Sequence, residues 1–181
     1  MDTWTPDPKR AMRIAEVLAW CRNMAKDGCD GITISGGEPF DQPHGLRALL
    51  TGLHAWRTSS GLDFDVLSYS GYPLRTLQAK HSAILALLDA VIPEPYIENA
   101  PPTAIWCGSA NQSLTPLSER GKRKYAPYLA MSLEEYGKQM QVSVEGKKIW
   151  MIGIPSRGDM AALENLCQTR GLALGDVSWR R

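Results

Sequence analysis

Apolar positions in the first third of the chain follow two spacings. From Met12 to Ala25 they recur about every 3.6 residues, which predicts an amphipathic helix. The short run Gly31 to Ser35 is apolar and β-branched and predicts a buried strand. A second helical pattern begins at Pro43 and ends at the turn Ser59-Ser60-Gly61. The chain therefore opens with helix, strand and helix.

The same cycle repeats in the next third. Phe64 to Tyr69 predicts a strand, Pro73 to Leu88 a helix, and Ala90 to Ile92 a third strand. Strands and helices that alternate through short glycine or proline loops are typical of a parallel sheet. We therefore predict an α/β fold, a partial (β/α) barrel with a mainly parallel sheet. Its three strands should be parallel neighbours, so that Gly36 and Ser70 lie at the same end of the sheet.

The second half of the chain has a weaker pattern. Residues 93–128 are rich in proline, and the basic run GKRKY within them predicts a solvated turn. Beyond them we predict a short helix from Leu133 to Met140 and a hairpin formed by QVSV and KKIWMIGI. A last helix should run from Arg157 to Arg170, and LALGDVSW should form a final short strand. We expect residues 1–128 to form the α/β domain and residues 129–181 a hairpin and helix extension packed on the same core.

Composition excludes several classes of function. A formal net charge of +1 does not indicate a nucleic-acid partner or an anionic membrane partner. No apolar run is long enough for a membrane span, and the first residues lack the pattern of a signal peptide, so we expect a cytoplasmic protein. The cysteines are too widely spaced to predict a metal site: Cys21, Cys29, Cys107 and Cys167.

The end of the first predicted strand carries the most informative motif, SGGEP. Two glycines let the backbone approach a ligand, and a following proline stiffens the loop. A carboxylate among exposed carbonyl groups would suit an ammonium group on a ligand rather than a phosphate. The alternative is a tight strand-to-helix turn with an exposed Glu38.

SGGEP, followed by a helix and by YSGY after the next strand, resembles the radical S-adenosylmethionine proteins. More narrowly, it is similar to the activases of glycyl-radical enzymes, including the activating protein of anaerobic ribonucleotide reductase. In that family the glycine-glycine-glutamate-proline segment binds the amino group of S-adenosylmethionine. The resemblance implies that the ligand contacts are Gly36, Gly37, Glu38 and Pro39. It places two further residues near the same ligand, Ser70 and Gly71.

Two later segments extend the resemblance to about Thr3 to Leu114. PEPYIE and GSANQ resemble the aspartate-glycine-proline-tyrosine and glycine-serine-x-asparagine-glutamine segments of the activase-like branch. We interpret Asn111 and Gln112 as buried amides that staple a loop, with substrate contact as the alternative. The resemblance implies reductive cleavage of S-adenosylmethionine to a 5'-deoxyadenosyl radical. That radical would abstract hydrogen from a glycyl-radical enzyme or another protein or peptide partner, with no catalytic side chain assigned in this chain.

The chain departs from the family at its 4Fe-4S cluster. The resemblance implies such a cluster on three closely spaced cysteines, and no cysteine precedes Cys21. In the family a segment similar to Asp2-Thr3-Trp4-Thr5-Pro6 follows that loop, so we expect the first strand and the cysteines to be encoded upstream of Met1. The first alternative is a degenerate homologue that binds an adenosyl ligand or a protein without catalysis. The second is an unrelated α/β domain whose SGGEP is only a turn. Whether the chain is an enzyme, an oxidoreductase, therefore stays open.

Overall fold

The computed structural model describes residues 11–137, 140–145, 148–153 and 158–175. Within these residues the helices are α1 to α6: Ile14–Met24, Pro43–Ser60, Leu74–Leu85, Glu119–Leu129, Leu133–Tyr136 and Asp159–Thr169. The strands are β1 to β6: Gly31–Ile34, Asp65–Tyr69, Ala90–Ile92, Thr115–Pro116, Met140–Glu145 and Lys148–Gly153. Two compact units result, one ending at Tyr136 and one beginning at Gly137. The segment of residues 2–6 lies outside the described residues.

The first unit is built on a four-stranded open sheet with the order β1-β2-β3-β4. β1 and β2 are parallel, with Ile32 opposite Val66, and β2 and β3 are parallel, with Ser68 opposite Val91. The two residues of β4 pair antiparallel with β3. The predicted α/β class and the parallel order of the first three strands are confirmed, and the sheet does not close into a barrel.

Each face of this sheet has its own apolar cluster, because side chains alternate along a strand. Val66 and Val91 point to one face, where the helices α1, α2 and α3 supply most of the remaining side chains. Leu67 and Ala90 point to the other face, where Cys107 and Tyr125 are buried. β2 and β3 are therefore covered on both faces, as parallel strands usually are.

A buried carboxylate lies at the amino-terminal end of the parallel strands and connects several elements. Asp89, directly before β3, is 2% exposed, and its Oδ2 accepts hydrogen bonds from Arg57 Nη1 at 2.7 Å and Val66 N at 2.9 Å. Its Oδ1 accepts from Ser118 Oγ at 2.5 Å. Burial on its own raises the pKa of Asp89, but the bonds from Ser118, Arg57 and Val66 outweigh it and lower that pKa. The ionised carboxylate thus ties α2, β2 and the start of α4 to β3.

The basic run GKRKY lies inside α4, so its prediction as a solvated turn is wrong. Gly121 and Tyr125 are four residues apart and both face the sheet, where the Tyr125 hydroxyl donates to the carboxylate of Asp65. Lys124 donates to the carbonyl oxygens of Asp30 and Asp63. The helix was missed because a glycine and a tyrosine, rather than a regular apolar stripe, form its buried face.

The second unit contains the hairpin and the last helix. β5 and β6 pair antiparallel, with Val142 opposite Met151, and α6 carries the buried Cys167. The predicted hairpin and last helix are confirmed. Residues 172–175 of the predicted final strand form no strand, and residues 176–179 lie outside the described residues. Within the described part of the chain, no helix has the length and apolarity needed to cross a membrane.

Replacing Gly121 with Ala should destabilise the first unit. A Cβ at this position would stand 1.9 Å from the carbonyl oxygen of Asp89, a backbone atom that cannot move aside easily. We expect the free energy of unfolding to fall by about 1–3 kcal/mol in denaturant titrations. The control is Gly45→Ala in α2, where an added Cβ meets nothing within 4 Å. Equal effects of the two substitutions would contradict the close contact between α4 and β3.

Replacing Asp89 with Asn should destabilise the protein by about 3–5 kcal/mol at neutral pH, because Arg57 would be left buried without its counterion. Asp89 has a lowered pKa in the folded state, so its contribution is present above the ordinary aspartate pKa and is lost as the pH falls through the folded-state value. The stability difference between wild type and variant should therefore shrink from about pH 4 downward.

The matched control for Asp89 is Asp63→Asn, since Asp63 forms an ion pair with Arg120 but is largely exposed. This control should leave the melting temperature almost unchanged. A difference between wild type and Asp89→Asn that stays constant from pH 7 down to about pH 3, which is below the ordinary aspartate pKa, would contradict the role of Asp89 as an ionised counterion.

Candidate functional site

The loop after β1 has a conformation that requires glycine. Gly36 and Gly37 have φ angles of 85° and 52°, in the left-handed region that side chains with a Cβ seldom adopt. Space is not the constraint, because a Cβ at either position would meet nothing within 4 Å. The loop continues into a 3-10 turn, Pro39–Asp41, whose Phe40 is 2% exposed and anchors it in the core. Glycine backbone therefore lies open to solvent beside a fixed turn.

Glu38 joins this loop to the loop after β2. Its Oε1 accepts from Phe40 N at 3.0 Å and from Ser70 Oγ at 2.9 Å, and its Oε2 accepts from Gly71 N at 2.7 Å. An ionised carboxylate offers about four lone-pair positions, so these three bonds leave Oε2 able to accept another donor. Glu38, Ser70 and Gly71, which the family resemblance places near one ligand, lie together.

A second bond joins the same two loops. The hydroxyl of Tyr72 donates to Asp41 Oδ1 at 2.6 Å. This bond raises the pKa of Tyr72, and the negative charges of Asp41 and Glu38 raise it further. Sequence reasoning did not single out Tyr72, although it lies in the YSGY motif beside Ser70 and Gly71. Its position directly after Gly71 was the signal in the sequence that could have identified Tyr72 as part of the site.

The loop after β3 also lies at the carboxyl end of the parallel strands, and side-chain hydrogen bonds from residues 109–112 hold it in place. Gln112 Nε2 donates to the carbonyl oxygen of Glu94 and Asn111 Nδ2 to that of Pro95, both at 2.8 Å. Ser109 Oγ accepts from Ile97 N at 3.1 Å. Asn111 and Gln112 therefore staple the loop as predicted, but the predicted burial is wrong for Asn111, which is exposed, and Gln112 is half-buried. The segments PEPYIE and GSANQ thus form one hydrogen-bonded structure.

These loops follow the carboxyl ends of three parallel strands, where ligands of open α/β sheets bind. The arrangement offers a carboxylate that is fixed in position and partly exposed, flanked by accessible glycine backbone. Such a group can receive a ligand ammonium through a charge-assisted hydrogen bond. Among the described residues no group of three histidine, cysteine or acidic side chains is arranged to hold a metal ion.

Comparison with known families decides the kind of protein. The family described as "4Fe-4S single cluster domain" matches residues 1–115. The chain belongs to this family. The anaerobic ribonucleoside-triphosphate reductase-activating proteins of Haemophilus influenzae and Vibrio cholerae serotype O1 are similar to the chain. Each is 35% identical over 83 residues, which is 45% of this chain and 52% of the relative.

The chain therefore matches about half the length of these curated relatives. The resemblance to the activating protein of anaerobic ribonucleotide reductase, drawn from SGGEP and the later segments, is confirmed. No solved structure matches the chain significantly.

The four cysteines do not fit the cluster for which the 4Fe-4S single cluster family is named. Cys21 and Cys29 pack against the apolar core on the face of the sheet that α1, α2 and α3 cover. Cys107 is buried on the opposite face. Cys167 belongs to the second unit. Burial raises the pKa of Cys21 and of Cys107, and the neighbouring Cys29 raises that of Cys21 further. A 4Fe-4S cluster requires several thiolates that converge in space, and thiols on opposite faces of one sheet are not such a set.

Replacing Gly36 with Ala should destabilise the loop through backbone strain alone. We expect the free energy of unfolding to fall by about 1–2 kcal/mol, the cost of a left-handed conformation for a residue with a Cβ. Gly45→Ala is the control, because the same substitution in a right-handed helix is expected to be neutral or stabilising. Chemical denaturation of both variants gives the comparison, and a stabilising Gly36→Ala would contradict the loop conformation.

Proposed function

We propose that this chain binds S-adenosylmethionine as an activase-like protein, with Glu38 receiving the amino group of the methionine part. The carrying observation is the carboxylate of Glu38, held at the carboxyl ends of β1 and β2 by Ser70 and Gly71. Family membership and the names of the two relatives support the activase-like role. The choice of ligand follows from the resemblance of SGGEP to the radical S-adenosylmethionine proteins.

The residues of the site have separate roles in this proposal. Gly36 and Gly37 offer backbone groups to the ligand without a side chain in the way. Pro39 and the buried Phe40 keep the loop in place, so that Glu38 does not have to be ordered when the ligand arrives. Ser70 and Gly71 orient the carboxylate. The groups that hold Glu38 are neutral, so its negative charge is left to pair with the ligand cation.

In the activases that the chain resembles, a 4Fe-4S cluster supplies the electron for reductive cleavage of S-adenosylmethionine. Because the cysteines of this chain do not form a cluster site, we derive no radical step from them. For the activity as a whole we propose the activase role, with a glycyl-radical enzyme or another protein as partner. The names of the two relatives, which activate an anaerobic ribonucleoside-triphosphate reductase, support that partner.

The second candidate is a non-catalytic homologue that binds an adenosyl ligand or a protein. The distribution of Cys21, Cys29 and Cys107 over two faces of the sheet favours it. Anaerobic treatment with iron, sulfide and dithionite separates the two: formation of 5'-deoxyadenosine from S-adenosylmethionine requires the radical function. Both candidates predict no cleavage by the 181 residues, which lack the cluster cysteines, so the assay uses the protein read in frame from upstream of Met1. Binding without cleavage by that longer protein supports the non-catalytic candidate.

Replacing Glu38 with Gln should weaken binding of S-adenosylmethionine by about ten- to a hundredfold, since it removes a charge-assisted hydrogen bond but keeps the side-chain shape. Isothermal titration calorimetry measures this change. Methylthioadenosine, which lacks the amino acid part, should bind wild type and variant equally. The control variant is Glu134→Gln on the exposed surface of α5, which should leave both affinities unchanged. Equal affinities of wild type and Glu38→Gln for S-adenosylmethionine would reduce Glu38 to a turn residue.

A further inference from the structure

Glu94 has a backbone conformation that glycine adopts at lower cost. It follows β3 at the edge that carries Glu38, and its φ angle is 81°. Trp106, with a φ angle of 60°, is the other described residue besides glycine with a positive φ. A left-handed glutamate is strained, and such residues persist where the surroundings hold them and often where function uses them.

The side chain of Glu94 makes a bond that glycine could not provide. The backbone N–H of Glu94 donates to the carbonyl oxygen of Tyr72 at 3.1 Å, and its carbonyl oxygen accepts from Gln112. Glycine would make both bonds equally well. Oε1 of Glu94 also accepts from Leu74 N at 3.2 Å, at the start of α3, where the preceding Pro73 has no side-chain capping group. The hydrogen bond from Leu74 N to the carboxylate is therefore the interaction that glutamate provides at this strained position and glycine would not.

These bonds lead directly to Glu38. Glu94 holds the segment from Tyr72 to Leu74 on both sides of Pro73, through a carbonyl oxygen and an amide. The N–H of Tyr72 donates to Ser70 Oγ at 3.0 Å, and the Ser70 hydroxyl donates to Glu38 Oε1 at 2.9 Å. A displacement of Tyr72 would therefore reach Ser70 and then the carboxylate of Glu38.

We propose that Glu94 is a positioning residue of the S-adenosylmethionine site: it fixes the loop from Ser70 to Tyr72, and through it the carboxylate of Glu38. The inference rests on the proposed function for the identity of the ligand. Its mechanical part depends only on the hydrogen bonds between Glu94, Tyr72, Ser70 and Glu38. Glu94 acts through the loop and need not touch the ligand.

The test compares three substitutions at one position. Glu94→Gly removes both the strain and the carboxylate, so the fold should be retained while S-adenosylmethionine binds about three- to tenfold more weakly. Glu94→Gln keeps an oxygen acceptor for Leu74 N and should bind within about twofold of wild type. Glu94→Asp keeps the charge but withdraws it by one methylene, so it should resemble Glu94→Gly. Glu98→Gln, on an exposed residue of the same loop, is the control for charge.

Hydrogen exchange at the Gly71 amide provides a readout that needs no ligand. This amide donates to Glu38 Oε2, so its exchange should be faster in Glu94→Gly and Glu94→Asp and unchanged in Glu94→Gln. Wild-type affinity and wild-type Gly71 exchange in Glu94→Gly would overturn the proposal. So would equally weak binding by Glu94→Gln and Glu94→Gly, because charge rather than position would then matter.

If wild type itself fails to bind S-adenosylmethionine, the proposed function fails. The Gly71 exchange rates in the three variants then still decide whether Glu94 fixes this loop.

Discussion

The buried carboxylate of Asp89 is the interaction on which the first unit depends most. Its two oxygens take hydrogen bonds from α2, from the backbone of β2 and from the residue that caps α4. Its carbonyl oxygen also accepts from Leu117 and Ser118, and Gly121 lets α4 approach that carbonyl closely. A single ionised group therefore fixes the order and spacing of helices on both faces of the sheet. It is tolerable in the interior because Arg57 neutralises it and every oxygen has a partner.

The two ends of the parallel strands consequently have different properties. At the amino-terminal end Asp89 and Lys124 are fully engaged in bonds that connect elements of the fold. At the carboxyl end Glu38 also bridges two loops, but it is only partly buried and its donors are neutral. The same functional group is thus a structural counterion at one end and a candidate ligand contact at the other. The neighbouring charges and the access of solvent make the difference.

The loops at the carboxyl end include a strained residue, Glu94. Gly36 and Gly37 adopt left-handed conformations without penalty, whereas Glu94 does so at a cost and is held by the side-chain amide of Gln112. A loop that is already fixed loses little entropy when a ligand binds, which favours binding. Although the chain belongs to a 4Fe-4S family, its described cysteines in the first unit lie on both faces of the sheet and do not form a cluster site.

The sequence alone determined the alternation of strands and helices, because buried strands and amphipathic helices leave periodic apolar patterns. It also determined the glycine loop and Glu38, since local motifs record backbone conformations that other residues cannot adopt. Only the tertiary structure decided that GKRKY is helical, because the buried face of α4 consists of Gly121 and Tyr125 and has no apolar period.

The links from Tyr72 to Asp41 and from Glu94 to Leu74 also became visible only in the tertiary structure. These bonds join residues that are far apart in sequence, about 20 to 30 positions, and no local pattern records which loops the sheet brings together. The sequence thus specified the chemistry available at each strand end, and the parallel register of the sheet decided which of those groups act on one another.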